Sequence, residues 1–142
     1  AMEKPTFRNA MRRRRCLVPA DGYYEWSGAE GRKVPFFVQR PDGGLFALAG
    51  LWAHWMGADG SELETATLMT IAPNAELSLI HDRMPVIIAP EDYETWLTGE
   101  AGDAAQLIRP APDGSFVMEP TVIGRGALPK PSPPKPDQMS LF

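Results

Sequence analysis

The chain is poor in the residues that most often hold metals or form disulfides. Its 142 residues include one cysteine, Cys16, and two histidines, His54 and His81. A single cysteine excludes an internal disulfide and suits a reducing compartment, so a cytoplasmic protein is expected. Three such side chains are too few for a structural zinc site, and no metal or cofactor is expected. No apolar run approaches the ~20 residues that cross a bilayer, and no signal-peptide pattern is read in the first residues. No membrane partner is expected. A Ser-His-Asp order, a metal motif and a phosphate-cradling glycine loop are also missing, since Gly43-Gly44 reads as a hairpin turn. Acid is scarce in residues 1–20, which hold Lys4, Arg8, Arg12, Arg13, Arg14 and Arg15 against Glu3 alone. The formal net charge of −4 therefore divides into +5 at that end and −9 over the remainder. Phosphate binding responds to a local basic surface and not to the total. The four consecutive arginines are thus candidate DNA contacts, with a solvated basic helix end as the alternative.

What is present is an ordinary globular composition, 44% hydrophobic and 23% charged, of a length that fits one domain. Phe7, Ala10 and Met11 share one face of a short amphipathic helix beginning near Thr6. The run 16–18, ended by Pro19, predicts a strand, and Asp21-Gly22 a tight turn. Further strands are expected over 23–26, 36–40, 45–52, 65–71 and 116–118. The one over 45–52 is apolar on both faces and is expected to be central. Short helices are expected over 74–80, from Pro90 with Tyr93, Trp96 and Leu97 on one stripe as far as Gly99, and after a cap at Asp103. The fold class is α+β, dominated by an antiparallel or mixed sheet with short peripheral helices. The domain is assigned to residues 1–128. Five of the eight residues 129–136 are proline, so 129–142 is expected to be an extended, disordered tail.

Two polar segments interrupt apolar surroundings. In 20–26, Glu25 lies within an aromatic run, where poor solvation favours the protonated form a general acid needs. An outward-facing glutamate on an alternating strand is the other reading. In 80–85, His81 is suited to proton transfer near neutral pH and Arg83 to clamping a phosphate. A capped helix end with Asp82 and Arg83 paired locally is the other reading there. His54 lies between Trp52 and Trp55 and takes no role.

Five stretches together resemble the SOS response-associated peptidase (SRAP) family. They are Arg14-Arg15-Cys16-Leu17-Val18-Pro19-Ala20-Asp21-Gly22-Tyr23-Tyr24-Glu25-Trp26, Ala49-Gly50-Leu51-Trp52, Thr70-Ile71-Ala72-Pro73-Asn74, Ile80-His81-Asp82-Arg83-Met84-Pro85-Val86-Ile87 and Trp96-Leu97. They occur in family order. The resemblance implies a β-rich domain that recognises abasic sites in single-stranded DNA or at junctions with duplex, and a nucleoid-associated location. It implies an N-terminal cysteine whose amine and thiol close a thiazolidine ring on the sugar aldehyde. It implies proton-transfer roles for Glu25 and His81, and a DNA channel lined by Arg83, Trp26 and Thr70. The family begins Met-Cys-Gly-Arg, whereas this sequence begins Ala1-Met2-Glu3. Cys16 has no free α-amine and matches an internal family position. The expectation is that these residues form the C-terminal two-thirds of the family domain, without its nucleophile.

Two functional readings follow, a damage-processing protein and a non-catalytic module that binds DNA or a replication protein. The missing cysteine favours the second, and the presence of both Glu25 and His81 the first. Peptide hydrolysis, as the family name suggests, finds no independent nucleophile. Finally, Gln138-Met139-Ser140-Leu141-Phe142 resembles the bacterial sliding-clamp-binding motif. Gln138 would set the register at the pocket rim, while Leu141 and Phe142 would leave water, worth roughly 1.5–3 kcal/mol each; a disordered end whose last two residues happen to be apolar, or one that folds back onto the core, is the other reading.

Overall fold

The computed structural model describes residues 4–123. Pro5 opens the first helix, where its missing N–H is no loss, and Lys4 before it is extended. Helix α1 (Pro5–Arg13) buries Ala10 and Met11 and ends as Arg14 N–H bonds back to Ala10 O. Strand β1 (Arg15–Ala20) runs on through Pro19, beyond the expected stop. It tolerates the proline because it lies at the edge of its sheet.

The eleven-residue β4 (Phe46–Met56) is the centre of that sheet, as its apolar run predicts. It pairs antiparallel with β1, with β5 (Glu62–Leu68) and with the short β8 (Ile87–Ile88). Phe46 and Leu48 join one buried cluster, with Val38, Leu77, Met84 and Phe116. Ala49 joins the other, with Met11, Val86, Ile88, Trp96 and Leu107. A second sheet, in the order β2 (Tyr23–Ser27), β3 (Val34–Gln39), β9 (Val117–Pro120), shares the first cluster through Val38 and Met118. All described pairings are antiparallel. The turn glycine Gly22 lies directly under the Phe37 ring, with no space there for a Cβ.

The expected single strand over 65–71 is two strands. β5 ends at Leu68, and β6 (Thr70–Ile71) turns away to pair with β7 (Met84–Pro85). Met69 lies between them in a closed ring of backbone hydrogen bonds. Met69 N–H donates to Ala49 O (2.9 Å), Ala49 N–H to Val86 O (2.9 Å) and Val86 N–H to Met69 O (2.8 Å).

The helical segments are shorter than expected. In 74–80 only a 3-10 turn forms (Leu77–Leu79), held by Asn74 Oδ1 accepting the Leu77 N–H at 2.9 Å. Pro90 opens a 3-10 turn (Pro90–Asp92) that leads into α2 (Tyr93–Thr98). With fewer than two turns, α2 buries Trp96 completely and leaves Leu97 44% exposed, so the expected three-residue stripe narrows. Asp103 lies inside α3 (Ala101–Ala105), whose cap position is Glu100. Beyond Leu51, β4 and all of β5 form an exposed hairpin carrying Trp52, Trp55, Met56, Leu63 and Leu68 on its two sides.

Trp96 fastens α2 to β1, donating from Nε1 to Cys16 O at 2.8 Å. Trp96→Ala is expected to lower stability by about 3–5 kcal/mol. Trp96→Phe keeps most of the ring but strands the Cys16 carbonyl, for about 1–3 kcal/mol. Urea titration with an unchanged m value is the check.

Candidate active site

Period-two alternation on β2 places Tyr23, Glu25 and Ser27 on one side and Tyr24 and Trp26 on the other. Tyr23 packs against the first buried cluster, so its side faces inward. Glu25 therefore points to the inner side at its rim, with its side chain 21% exposed. That settles the choice against a fully outward glutamate.

The strand end alone would leave the carboxylate facing solvent. The segment after the 3-10 turn brings His81 over it, with Nε2 at 3.4 Å from Glu25 Oε1. The Arg83 N–H lies 3.1 Å from His81 Nδ1. The same Nδ1 lies 3.1 Å from Arg83 O, so the Arg83 backbone holds the ring with either nitrogen protonated and leaves Nε2 facing Glu25. The separation is loose, as catalytic pairs often are before substrate arrives. Asp82 Oδ1 also lies 3.4 Å from Nδ1, but its side chain is 90% exposed.

Arg83 and Thr70 meet because β6 and β7 pair, with Thr70 opposite Pro85. Arg83 Nη2 donates to Thr70 O (2.8 Å) and to Thr70 Oγ1 (3.2 Å), and Nε to Oγ1 (3.3 Å). These bonds hold the exposed guanidinium against Thr70, thirteen residues earlier, while the Arg83 backbone touches the His81 ring. Glu25, Thr70, His81 and Arg83 thus come together from three separate parts of the chain.

The remaining sequence candidates lie elsewhere. Trp26, 44% exposed, is on the opposite side of β2. There Tyr24 lies 5.1 Å from Phe37 and 6.5 Å from Trp26 between ring centroids. The four arginines separate. Arg12 and Arg13 are exposed. Arg14 Nε donates to Trp52 O at 3.0 Å. Arg15 is buried, lies over the Trp96 ring and donates to Gly99 O. Burial lowers the Arg15 pKa, and Glu100 opposes that shift. Burial pushes the Cys16 thiol up, away from the thiolate a nucleophile needs. Among the described residues no group of three His, Cys, Asp or Glu side chains is placed to hold a metal ion.

The family model described as SOS response associated peptidase (SRAP) matches residues 1–122. The chain belongs to the SRAP family. The SRAP relative YoqW of Bacillus subtilis, named an abasic site processing protein, is 40% identical over 106 residues. That match covers 74% of this chain and 47% of YoqW. Chicken HMCES, with the same description, is 33% identical over 126 residues, covering 72% of this chain and 38% of its own. A crystal structure from Bordetella bronchiseptica superposes with a TM-score of 0.78 at 31% identity, covering 87% of this chain and 62% of that one. One from Bacteroides thetaiotaomicron gives 0.76 at 31%, covering 82% and 53%. The chain spans about half the length of YoqW, the first of these relatives.

Tyr23 was overlooked in the sequence, although its i, i+2 spacing puts it on Glu25's side of the strand. Its hydroxyl pKa is raised, first by burial and then by the Glu25 charge. The folded state holds the phenol proton more tightly than the unfolded state does. The associated stability is full below the unfolded value of about 10 and is lost as pH climbs towards the raised folded value. Urea unfolding above about pH 10 is expected to show a stability loss that Tyr23→Phe lacks.

Proposed function

We propose that this chain carries the proton-transfer and phosphate-clamping part of a protein that binds single-stranded DNA at abasic sites and, with the family's N-terminal cysteine, crosslinks to them. The observation that carries the reading is the contact of Glu25 with His81 beside an oriented Arg83. The names of YoqW and HMCES support the substrate class.

An abasic sugar is mostly a closed hemiacetal, and its reactive form is the open aldehyde. Glu25 takes the proton from the anomeric hydroxyl and delivers it to the ring oxygen as the bond between that oxygen and the anomeric carbon breaks. The cysteine amine then adds to the aldehyde carbon. From Nε2, an imidazolium His81 protonates the resulting carbinol oxygen, which leaves as water, and the nitrogen's proton returns to the imidazole to give an imine. The thiol adds to the imine carbon, its proton passes to the nitrogen, and the thiazolidine closes. Ring opening requires a base and water loss an acid, and a carboxylate–imidazole pair supplies both.

The Arg83 guanidinium suits a phosphate next to the abasic sugar. Arg12 and Arg13 remain free for further phosphates, whereas Arg14 and Arg15 are engaged with Trp52 and Gly99. β2 is an edge strand, so a DNA strand crossing that edge meets Glu25 on one side and Trp26 on the other. Stacking of a neighbouring base on Trp26 would add on the order of 1–3 kcal/mol. The residues of the sliding-clamp reading, Gln138, Leu141 and Phe142, lie outside the described residues. That partner is tested by titrating the clamp with the intact protein and with Leu141→Ala/Phe142→Ala; equal binding removes it.

In a chain completed with the N-terminal cysteine segment, Glu25→Gln is expected to slow crosslinking by roughly 10²–10⁴-fold while single-strand affinity holds. Arg83→Ala is expected to weaken binding about tenfold and to reduce the salt slope by about one. Gel-based adduct assays and binding at several salt concentrations measure these. The 142 residues alone are expected to give no heat-stable adduct, and such an adduct would reassign the nucleophile. Affinity indifferent to both salt and Arg83→Ala would remove the DNA reading.

A further inference from the structure

A cleft of about 600 Å³ opens between β4, the segment 87–93 and the loop 107–116. None of Glu25, Thr70, His81 or Arg83 lines it. Its floor is apolar, with Phe46 and Phe116 edge to face at 5.0 Å between centroids. Tyr93 and three prolines (Pro90, Pro110, Pro112) form its walls, and Glu91, Asp92, Arg40 and Arg109 its polar rim. The proposed DNA chemistry uses none of this.

We infer that the cleft is the seat of the chain's own residues 129–142. Three observations name that occupant. The first is the path of the chain. Ser115 and Phe116 line the cleft, β9 leaves from there, and the described chain stops at Ile123. Residues 124–142 lie beyond it, enough chain to span about 60 Å when extended and so to return. A tether of that length holds the segment at roughly millimolar effective concentration, so a weak intrinsic fit suffices.

The second is shape and apolar chemistry. Proline-rich segments dock in grooves walled by aromatic rings, and residues 129–136 hold five prolines. Leu141 and Phe142 supply apolar side chains for a floor made of Phe46, Phe116 and Leu107. The third is charge. Lys130 and Lys135 complement Glu91 at the rim, where Asp92 and Arg109 already pair with one another at 3.6 Å. While the segment is seated, Leu141 and Phe142 are withheld from any other protein that takes the same pair, so seating and presentation exclude one another.

Hydrogen exchange on the full chain tests this. Leu141→Ser/Phe142→Ser is expected to speed exchange about fivefold in 87–93 and 107–116 and to leave β5 unchanged. Glu91→Lys, at an exposed position, is expected to do the same. Adding Lys130→Glu/Lys135→Glu to Glu91→Lys is expected to restore protection. A 129–142 peptide added to the double-serine variant is expected to protect the same two segments. Identical exchange in all of these proteins overturns the inference. So does a charge swap that fails to restore protection, or protection that grows with protein concentration, which would mean a second copy's tail.

Discussion

The architecture depends on the closed ring of three backbone hydrogen bonds that joins Ala49, Met69 and Val86. Each of the three residues gives its N–H to the next and takes one in return, so buried polar groups at the junction are satisfied where two sheets diverge. Ala49 and Val86 are completely buried and Met69 half-buried, which limits competition from water at the ring. The ring fixes where β5 ends, and therefore where β6 begins and what it faces. Because β6 faces β7, Thr70 meets Arg83. Because Arg83 is anchored, its N–H reaches the His81 ring and turns Nε2 towards β2. The site's geometry is thus inherited from a main-chain junction in which no functional side chain takes part.

Electrostatics divides along the same lines. Four adjacent arginines carry equal formal charge but unequal duties, because helix α1 ends and β1 begins within them. The two on the helix point to solvent, the third caps the way to Trp52, and the fourth is drawn inside against Trp96. A buried guanidinium whose Nη1 has no partner among the described residues is costly. It is held in place by the Gly99 carbonyl and the indole face. The surface charge that remains for an external anion is correspondingly smaller than the run of letters suggests.

This explains what could be read beforehand. The centre of the sheet was legible because residues 46–50 are apolar without alternation, which only a strand covered on both sides requires. Both halves of the site were legible as polar interruptions in apolar surroundings. Their meeting was not, since Glu25 and His81 are joined only through tertiary packing. The break at Met69 left one mark in the sequence, the adjoining apolar pair Leu68-Met69, where the alternation of 65–71 slips by one residue. Only the carbonyl of Ala49, far off in sequence, shows why the strand must turn there. The fate of Arg15 was hidden for a simpler reason, since four identical residues carry no internal label. Short helices were overextended because a six-residue helix has too few turns to make a full stripe.

The hairpin made by the end of β4 and by β5 has a consequence for how the protein behaves in bulk. Its outer strand is exposed along its whole length, and indole and leucyl groups stand on both of its sides. Such a strand offers a ready template for another chain's backbone, and heat supplies such chains. Association will then outrun refolding during a temperature scan. The apparent melting point will shift with heating rate and protein concentration, making it a kinetic quantity and not an equilibrium one.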